Sequence, residues 1–420
     1  MGEGWSLGTV ASGRIGRVRP AGVCLRGIFV STRMTPITDE QPRETCGDLV
    51  QPAEDRAMVA AIRLARRGIG TTHPNPRVGA LVLQQGEVVG RGYHARAGED
   101  HAETLAIDAA GNRAADGTLV TTLEPCAHHG RTPPCTDAIV RSGIRRVVVG
   151  MRDPNPLVNG RGVRSLRASG LDVVENVRAS QCRELNAPYL KHLATGLPWV
   201  LLKSMVSLDG RVASESGESR GLGGEAEQRL CHRLRAEHDA VLIGIGTVLA
   251  DDPELTVRLS RGRQPLRVVV DSRLRIPETS RLLATAPNAP LVIATASAEP
   301  GPSDALTARG ARIWRFAPGS DGRVPLEALL RRLAKEGCLS VLAEGGPTIH
   351  TALLREGLAD RVAVGIAPLI LGGTRAPVWT RDLGRARIDD AIAVGSLAVR
   401  RIGRDIWLEG SLRSNGAGDV

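Results

Sequence analysis

A two-domain α/β protein is what this 420-residue sequence predicts, on three observations. The length exceeds that of one ordinary domain, about 100–200 residues. Short apolar runs alternate with amphipathic stretches in two separate series, the signature of strands and helices packed in layers. Between the series, "NAPYLKHLATGLPW", residues 186–199, carries two prolines and a glycine, the composition of a junction. The expected organisation is a leader over 1–53, an α/β layer over 54–196, and a mostly parallel sheet covered by helices over 197–413.

Order is expected to begin near Glu54. Met58, Ala61, Ile62 and Ala65 fall at helical spacing, and Gly68 closes that helix. "VGALVL", "QQGE" and "VVGRGY" read as strand, tight turn and strand. A short helix follows Glu103 and ends at Gly111. "TLVTTL" is a strand running into the loop of Cys126, "CTDAIVRSG" a helix and "RRVVVG" the next strand. In the second series "WVLLK", "AVLIG", "RVVVD", "LVIAT" and "SVLAEGG" predict strands, with helices at 225–238 and 325–336 between them. Late strands at 361–367 and 404–409 complete the sheet.

Up to Met34 the leader has five arginines and a single acid, Glu3. It lacks the amphipathic stripe of an organelle transit peptide. A disordered extension, or a true start at Met34, is the expectation.

Composition narrows the function. No apolar run approaches the ~18 residues of a membrane helix. A net charge of +10 raises nucleic acid as a partner. The chain has only five Trp, two Tyr and two Phe, however, and readers of single strands depend on aromatic platforms. A small phosphorylated substrate suits the charge equally well, and no nucleic-acid or membrane partner is expected. Seven cysteines without a secretory signal point to reduced thiols and to metal binding for any cluster.

One cluster exists. "HAETLAIDAAG", 101–111, is followed by "CAHHGRTPPC", 126–135. A catalytic zinc takes three nitrogen or sulfur ligands and keeps one position open for water. His101, Cys126 and Cys135 supply one imidazole and two thiolates. Glu103 is then free to move protons between the water and a departing amine. His101 and Glu103 do not share a face inside a helix, but they converge if His101 sits at the helix mouth, where the backbone is not yet helical. Both cysteines lie where a strand or loop feeds a helix, which favours thiolate. The zinc-deaminase pattern H-x-E…P-C-x-x-C fits except that eight residues separate the cysteines here. A structural zinc is the rival reading. It requires a fourth ligand, which His128 or His129 could provide, and it leaves Glu103 without work.

At the level of longer motifs, "TTHPNPRVGALV", "GYHARAGEDHAE", "TLEPCAHHGRTPPC" and "DPNPLVNGRG" resemble the deaminase half of the bifunctional riboflavin-biosynthesis deaminase–reductases. "LKSMVSLDGRVA", "SGES", "LRAEHDAVLIGIGTVLADDPELTVR", "VVVDS" and "EGGPTIHTALL" resemble the reductase half. The resemblance covers about residues 54–412, and the eight-residue cysteine spacing is part of it.

The resemblance implies a cytidine-deaminase-like layer followed by a dihydrofolate-reductase-like domain. It implies zinc and NADPH as cofactors, a phosphorylated pyrimidine substrate, and a cytoplasmic homo-oligomer. In the first half it makes His101, Cys126 and Cys135 the zinc ligands and Glu103 the proton shuttle. Asn75, His94 and Arg131 would line the pyrimidine and phosphate pocket, although Asn75 between two prolines is also a plain turn residue.

In the second half the resemblance puts Gly346, Pro347, Thr348, Ile349, His350, Thr351 and Ala352 around the cofactor phosphates. A strand that ends in glycines and opens a helix suits that role. Met205, Thr247, Asp251 and Ser272 would also meet NADPH, while Ser219, Arg235, Leu255, Arg258 and Glu344 would meet substrate. Singly, each charged residue here could also be a solvated rim or helix face. There is one departure. After "SGES" the family usually carries a Trp-Ile-Thr run against the nicotinamide, and this chain reads "RGLGG", 220–224. Gly221 thereby removes a flat ring from the cofactor wall, and Gly221→Trp is expected to restore it. Two rivals accompany this reading: a nucleoside or nucleic-acid deaminase, and a deaminase with a non-catalytic second half. The two chemistries share no residue, so the halves are expected to act independently.

Overall fold

The computed structural model describes residues 50–128, 133–299 and 301–412. Arg131, His129 and nearly all of the leader, 1–49, lie outside the described residues. The first helix, α1 (Pro52–Ala65), opens two residues ahead of Glu54. Proline sits in its first turn, and Gln51 and Glu54 form a reciprocal capping box. Its Ala57, Met58, Ala61, Ile62 and Ala65 are buried, as the spacing predicts.

Strands β1 (Gly79–Gln84) and β2 (Glu87–Tyr93) form the expected hairpin. Gln85 and Gly86 at its tip both have positive φ, +52° and +82°, as a two-residue turn of this hand requires. Then come α2 (Ala102–Ala110), β3 (Thr118–Thr121), α3 (Cys135–Arg141), β4 (Arg146–Val149), α4 (Arg161–Ala168) and β5 (Asp172–Val174). The sheet order is β2-β1-β3-β4-β5, antiparallel around β1 and parallel from β3 onward. Helix α2 lies directly on β2 because that strand has glycine where the two touch. A Cβ on Gly92 would stand 2.2 Å from the Ala102 carbonyl, and one on Gly90 2.1 Å from that of Ala106. This close approach sets the depth of the helix mouth that carries His101.

Helix α5 (Ala179–Leu185) ends just before the stretch 186–199 expected to contain the junction, and α6 (Ala187–Thr195) occupies most of it. Pro188 falls in the first turn of α6, where its missing N–H costs nothing, so it starts a helix instead of breaking one. The connection shrinks to Gly196–Pro198 ahead of β6 (Trp199–Ser207).

The second sheet continues through α7 (Glu225–Glu237), β7 (Ala240–Gly244), α8 (Ile245–Asp251), β8 (Leu266–Val270), α9 (Arg281–Ala284) and β9 (Leu291–Thr295). It is completed by α10 (Gly301–Ala308), β10 (Ala311–Arg315), α11 (Leu326–Lys335), β11 (Ser340–Ala343), α12 (Pro347–Arg355), β12 (Arg361–Ala367), β13 (Val394–Ile402) and β14 (Asp405–Leu412). Its order is β10-β9-β8-β7-β11-β6-β12-β14-β13, parallel from β10 to β12 with an antiparallel hairpin at the end. The chain works outward from β7 to β10, then returns to insert β11 between β7 and β6. Such a reversal opens a crevice at the carboxyl ends of the strands, where ligands of α/β sheets bind. Separate apolar cores fill the two faces of the sheet. Edge strands β10 and β13 were not read from the sequence; β13 is exposed along nearly its whole length, so no buried face imposes alternation on it.

Among the described residues no helix is long and apolar enough to cross a membrane. The described residues belong to one compact unit, and its two halves share contacts such as the ion pair of Lys191 with Asp360.

Candidate active sites

His101 is the N-cap of α2, with extended backbone (φ −74°, ψ 155°), and Glu103 follows in the first helical turn. Cys135 is the first residue of α3, and Cys126 lies in the loop after β3. These elements bring one donor atom each from His101, Cys126 and Cys135 to within 4.8 Å of one another. His101 Nδ1 is 3.0 Å from Cys135 Sγ and 3.6 Å from Cys126 Sγ. Glu103 is buried, its Oε2 3.7 Å from Cys135 Sγ. Among the described residues His128 is not part of this set, and its Nδ1 is buried without a partner.

The two thiols polarise each other. The thiol of Cys126, in the loop, is pulled down. Hydrogen bonding to the Cys135 thiol is the main cause, with further bonds from His101 and from the Cys135 backbone N–H at 3.4 Å. Cys135 is pushed up, by its bond to Cys126 and by burial. The amide at the start of α3 thus serves the neighbouring sulfur. His101 rises to about 8 through its bond to Cys126. Burial lifts Glu103 to about 7, which suits a group that must both take and give a proton. Two sulfurs and one imidazole nitrogen, close together and without a fourth protein ligand among the described residues, suit a tetrahedral zinc with an open position.

Beside this set, Asn75 Nδ2 lies 3.1 Å from His94 Nε2, and His94 Nδ1 donates to the Asp100 carbonyl at 3.2 Å. The His94 ring meets His101 edge-on, centroids 5.7 Å apart.

At the carboxyl ends of β6, β7 and β11 lies a cleft of about 760 Å³. Its wall includes a bidentate pair, Arg235 Nε and Nη2 to Glu344 at 2.6 and 2.7 Å. Ser219 Oγ donates to Asp251 at 2.7 Å. Lys203 Nζ is 2.6 Å from Glu227. Burial opposes the charge on Lys203, but Cys231, Glu227 and Glu344 more than offset it and the ammonium is held protonated.

Residues 52–151 match the cytidine and deoxycytidylate deaminase zinc-binding region. Residues 198–411 match the RibD C-terminal domain. The riboflavin biosynthesis protein RibD of Escherichia coli (strain K12) is 40% identical over 371 residues, which cover 84% of this chain and 97% of that protein. That of Bacillus amyloliquefaciens is 39% identical over 367 residues, 87% of this chain and 98% of its own. The chain belongs to the RibD family.

Solved structures agree. Acinetobacter baumannii RibD superposes with a TM-score of 0.76 at 35% identity, covering 86% of this chain and 99% of its own. A diaminohydroxyphosphoribosylaminopyrimidine deaminase/5-amino-6-(5-phosphoribosylamino)uracil reductase from Thermotoga maritima gives 0.75 at 32%, with the same coverage. The chain is therefore a bifunctional deaminase and reductase of riboflavin biosynthesis, with a zinc-binding first half and an NADPH-dependent second half. The rivals, a nucleic-acid deaminase and a silent second half, give way.

Most of the expected reductase residues line the cleft: Met205, Ser219, Gly221, Arg235, Thr247, Asp251, Arg258, Glu344 and the run from Gly346 to His350. Four are not among the residues that line it. Leu255 is buried in the core, and Ser272 Oγ accepts the Val324 N–H at 3.1 Å. Thr351 Oγ1 accepts the Arg381 N–H at 2.7 Å, and Ala352 packs on the core below α12.

The wall residues that were missed include Lys203 and Trp379. Lys203 stands in the quoted "LKSMVSLDGRVA", and a lysine inside an apolar strand pattern was the available signal. Trp379 comes from an irregular loop with no local signal. Among the described residues it is the one Trp, Tyr or Phe of the wall, its ring 6.3 Å from that of His350.

Proposed function

We propose that the first half hydrolytically deaminates 2,5-diamino-6-ribosylamino-4(3H)-pyrimidinone 5′-phosphate, and that the second reduces the ribosyl unit of the product to ribityl with NADPH. The observation that carries this reading is the convergence of His101, Cys126 and Cys135 within 4.8 Å, with the Glu103 carboxyl beside them. His101, Cys126 and Cys135 hold the zinc, which when bound lowers the pKa of a water to near ~7 and polarises the reacting centre. Glu103 Oε2 takes a proton from the attacking water and delivers it to the amino nitrogen, which departs as ammonia. Asn75 and His94 orient the pyrimidine. Arg131, outside the described residues, is assigned to the phosphate, for which a guanidinium is the natural partner.

In the cleft, backbone groups from Gly346 to His350 receive the cofactor phosphates at the start of α12. Arg235, Arg258, Ser219 and Glu344 hold the substrate, and Thr247, Asp251 and Met205 meet the cofactor. Trp379 supplies the flat ring that Gly221 lacks. Leu255, Ser272, Thr351 and Ala352 do not line the cleft and act by supporting the wall.

The chain is further assigned to the cytoplasm, where NADPH and reduced thiols are at home; all five described cysteines are free. It is assigned a homo-oligomeric state on the exposed edge strand β13, with Val394, Leu397 and Val399 open to solvent. Light scattering giving a monomer at micromolar concentration would refute the latter. The decisive experiment supplies the diaminopyrimidine phosphate and follows ammonia, then follows absorbance at the NADPH band. Ammonia release followed by stoichiometric NADPH oxidation is expected. Ammonia without oxidation at saturating cofactor would leave the deaminase alone standing.

A further inference from the structure

The segment 73–77 leads into β1 and carries Asn75, yet two of its side chains are spent on the other half of the chain. His73 Nδ1 donates to Oδ2 of Asp239, the residue before β7, and the two side chains are 5% and 4% exposed. The same carboxylate is held rigidly within the second sheet. It accepts the backbone N–H groups of Leu339 and Ser340 and the Ser340 hydroxyl, each at 2.9 Å, and Arg263 donates to its other oxygen.

On the far side of the imidazole, His73 Nε2 lies 3.4 Å from Arg77 Nη2. Arg77 is fixed in turn by the Leu185 carbonyl at 3.2 Å and by Asn186, which pairs with its backbone N–H and C=O at 2.8 and 3.1 Å. A neutral imidazole that donates from Nδ1 and accepts at Nε2 satisfies both neighbours in one tautomer. Two residues on from His73, Asn75 reaches His94, whose ring meets His101. The strap that presents Asn75 to the deaminase site is therefore pinned by a carboxylate of the reductase half.

We propose that Asp239, acting through His73, is a positioning residue for the deaminase reaction. The inference rests on the reading of Asn75 as a substrate contact. Such a contact works only within about 0.5 Å of its productive place. Freed from Asp239, the strap loses the anchor that keeps the Asn75 amide in that place. The halves then share no catalytic residue, but the first depends on the second for the shape of its pocket.

The test uses the full-length zinc-loaded chain with His73→Leu, His73→Asn, Asp239→Asn and the His73→Leu/Asp239→Asn double variant. Ammonia release is measured against substrate concentration, together with zinc content and NADPH oxidation on deaminated substrate. His73→Leu should lower deaminase kcat/KM about tenfold, chiefly by raising KM, since misplacement by ~1 Å costs up to ~10²-fold. Zinc content and NADPH oxidation should stay within about twofold of the parent, because the change touches neither site. His73→Asn puts an amide N–H where Nδ1–H stood and should recover most of the loss. The double variant should be no worse than the poorer single one, as for residues that act as one unit.

Deamination by zinc-loaded His73→Leu at the parent kcat/KM overturns the proposal. So do additive losses, or equal losses in both activities, which would mark a role in folding alone. Should His73→Leu not fold, Asp239→Asn decides the matter: a loss confined to deamination supports the proposal, and parent deamination overturns it. A parent chain that releases no ammonia at all removes the functional reading itself, and the proposal with it.

Discussion

The two active sites of this chain are built in opposite ways. The candidate metal-binding set and the Glu103 carboxyl beside it come from residues 101 to 135, two helix starts and one loop resting on a single small sheet. The reductase cleft draws its wall from Lys203 to Arg381, gathered where β11 inserts between β6 and β7. The first site is polar through a few groups with displaced acidities; the second is lined by charges already paired, Arg235 with Glu344 and Lys203 with Glu227. A compact site of this kind stands or falls with single atoms. A dispersed one tolerates the loss of a wall residue but not the loss of a buried charge partner.

Glu103→Gln gives the largest expected effect and the cleanest division between the sites. It keeps size and hydrogen bonding but cannot carry a proton, so ammonia release should fall by at least ~10² with zinc retained. NADPH oxidation on supplied deaminated substrate should not change. A fall in both rates would break the division.

Arg235→Met probes the opposite half. It strands the Glu344 carboxylate, 8% exposed, and the loss of one partner from such a pair costs about 3–5 kcal/mol. Denaturant titration should show that loss, NADPH oxidation should collapse, and Glu344→Gln in the same chain should return much of the stability.

A smaller effect is expected at the cofactor wall. Trp379→Leu should weaken NADPH several-fold, the roughly 0.5–1.5 kcal/mol of one aromatic contact, as read by fluorescence titration. Gly221→Trp should not tighten it. A Cβ there meets nothing within 4 Å, but φ is +82°, and a side chain in left-handed backbone costs about 1–2 kcal/mol. Tighter binding by Gly221→Trp would restore the expectation formed from sequence.

The smallest effect concerns the joint between the halves. Burial works against the Asp239 charge, but the bond from His73 and the Arg263 guanidinium outweigh it and hold the carboxyl below the usual range. A depressed carboxyl contributes stability above its unfolded value of about 3.9, and that contribution is lost as pH falls toward the folded value. The Tm gap between parent and Asp239→Asn should therefore be full at pH 6 and narrow below about pH 4. A gap that widens in acid would contradict the pairing.

How much was legible follows from the range of each interaction. His101 and Glu103 could be read because a helix cap and its first turn are local, and Cys126 and Cys135 because one strand-loop-helix passage joins them to that cap. The β1–β2 hairpin was legible from its turn residues, and the parallel strands from apolar runs buried on both faces. Helix α6 was not, because Pro188 marks a break or a beginning with equal force until the neighbours are known. That the amide of Cys135 points to the sulfur of Cys126 was not legible, because that contact joins a helix start to a loop nine residues away.

By itself, then, the chain's sequence determined the two α/β layers, the candidate metal donors and the carboxyl placed beside them, since propensity, capping and ligand chemistry act over a few residues. Only the tertiary structure decided that Trp379 lines the cleft, that Leu255 is buried in the core, and that Asp239 grips His73 from 166 positions away. The physical reason is that a buried polar group must find a partner wherever the fold brings one, and sequence spacing carries no record of that meeting.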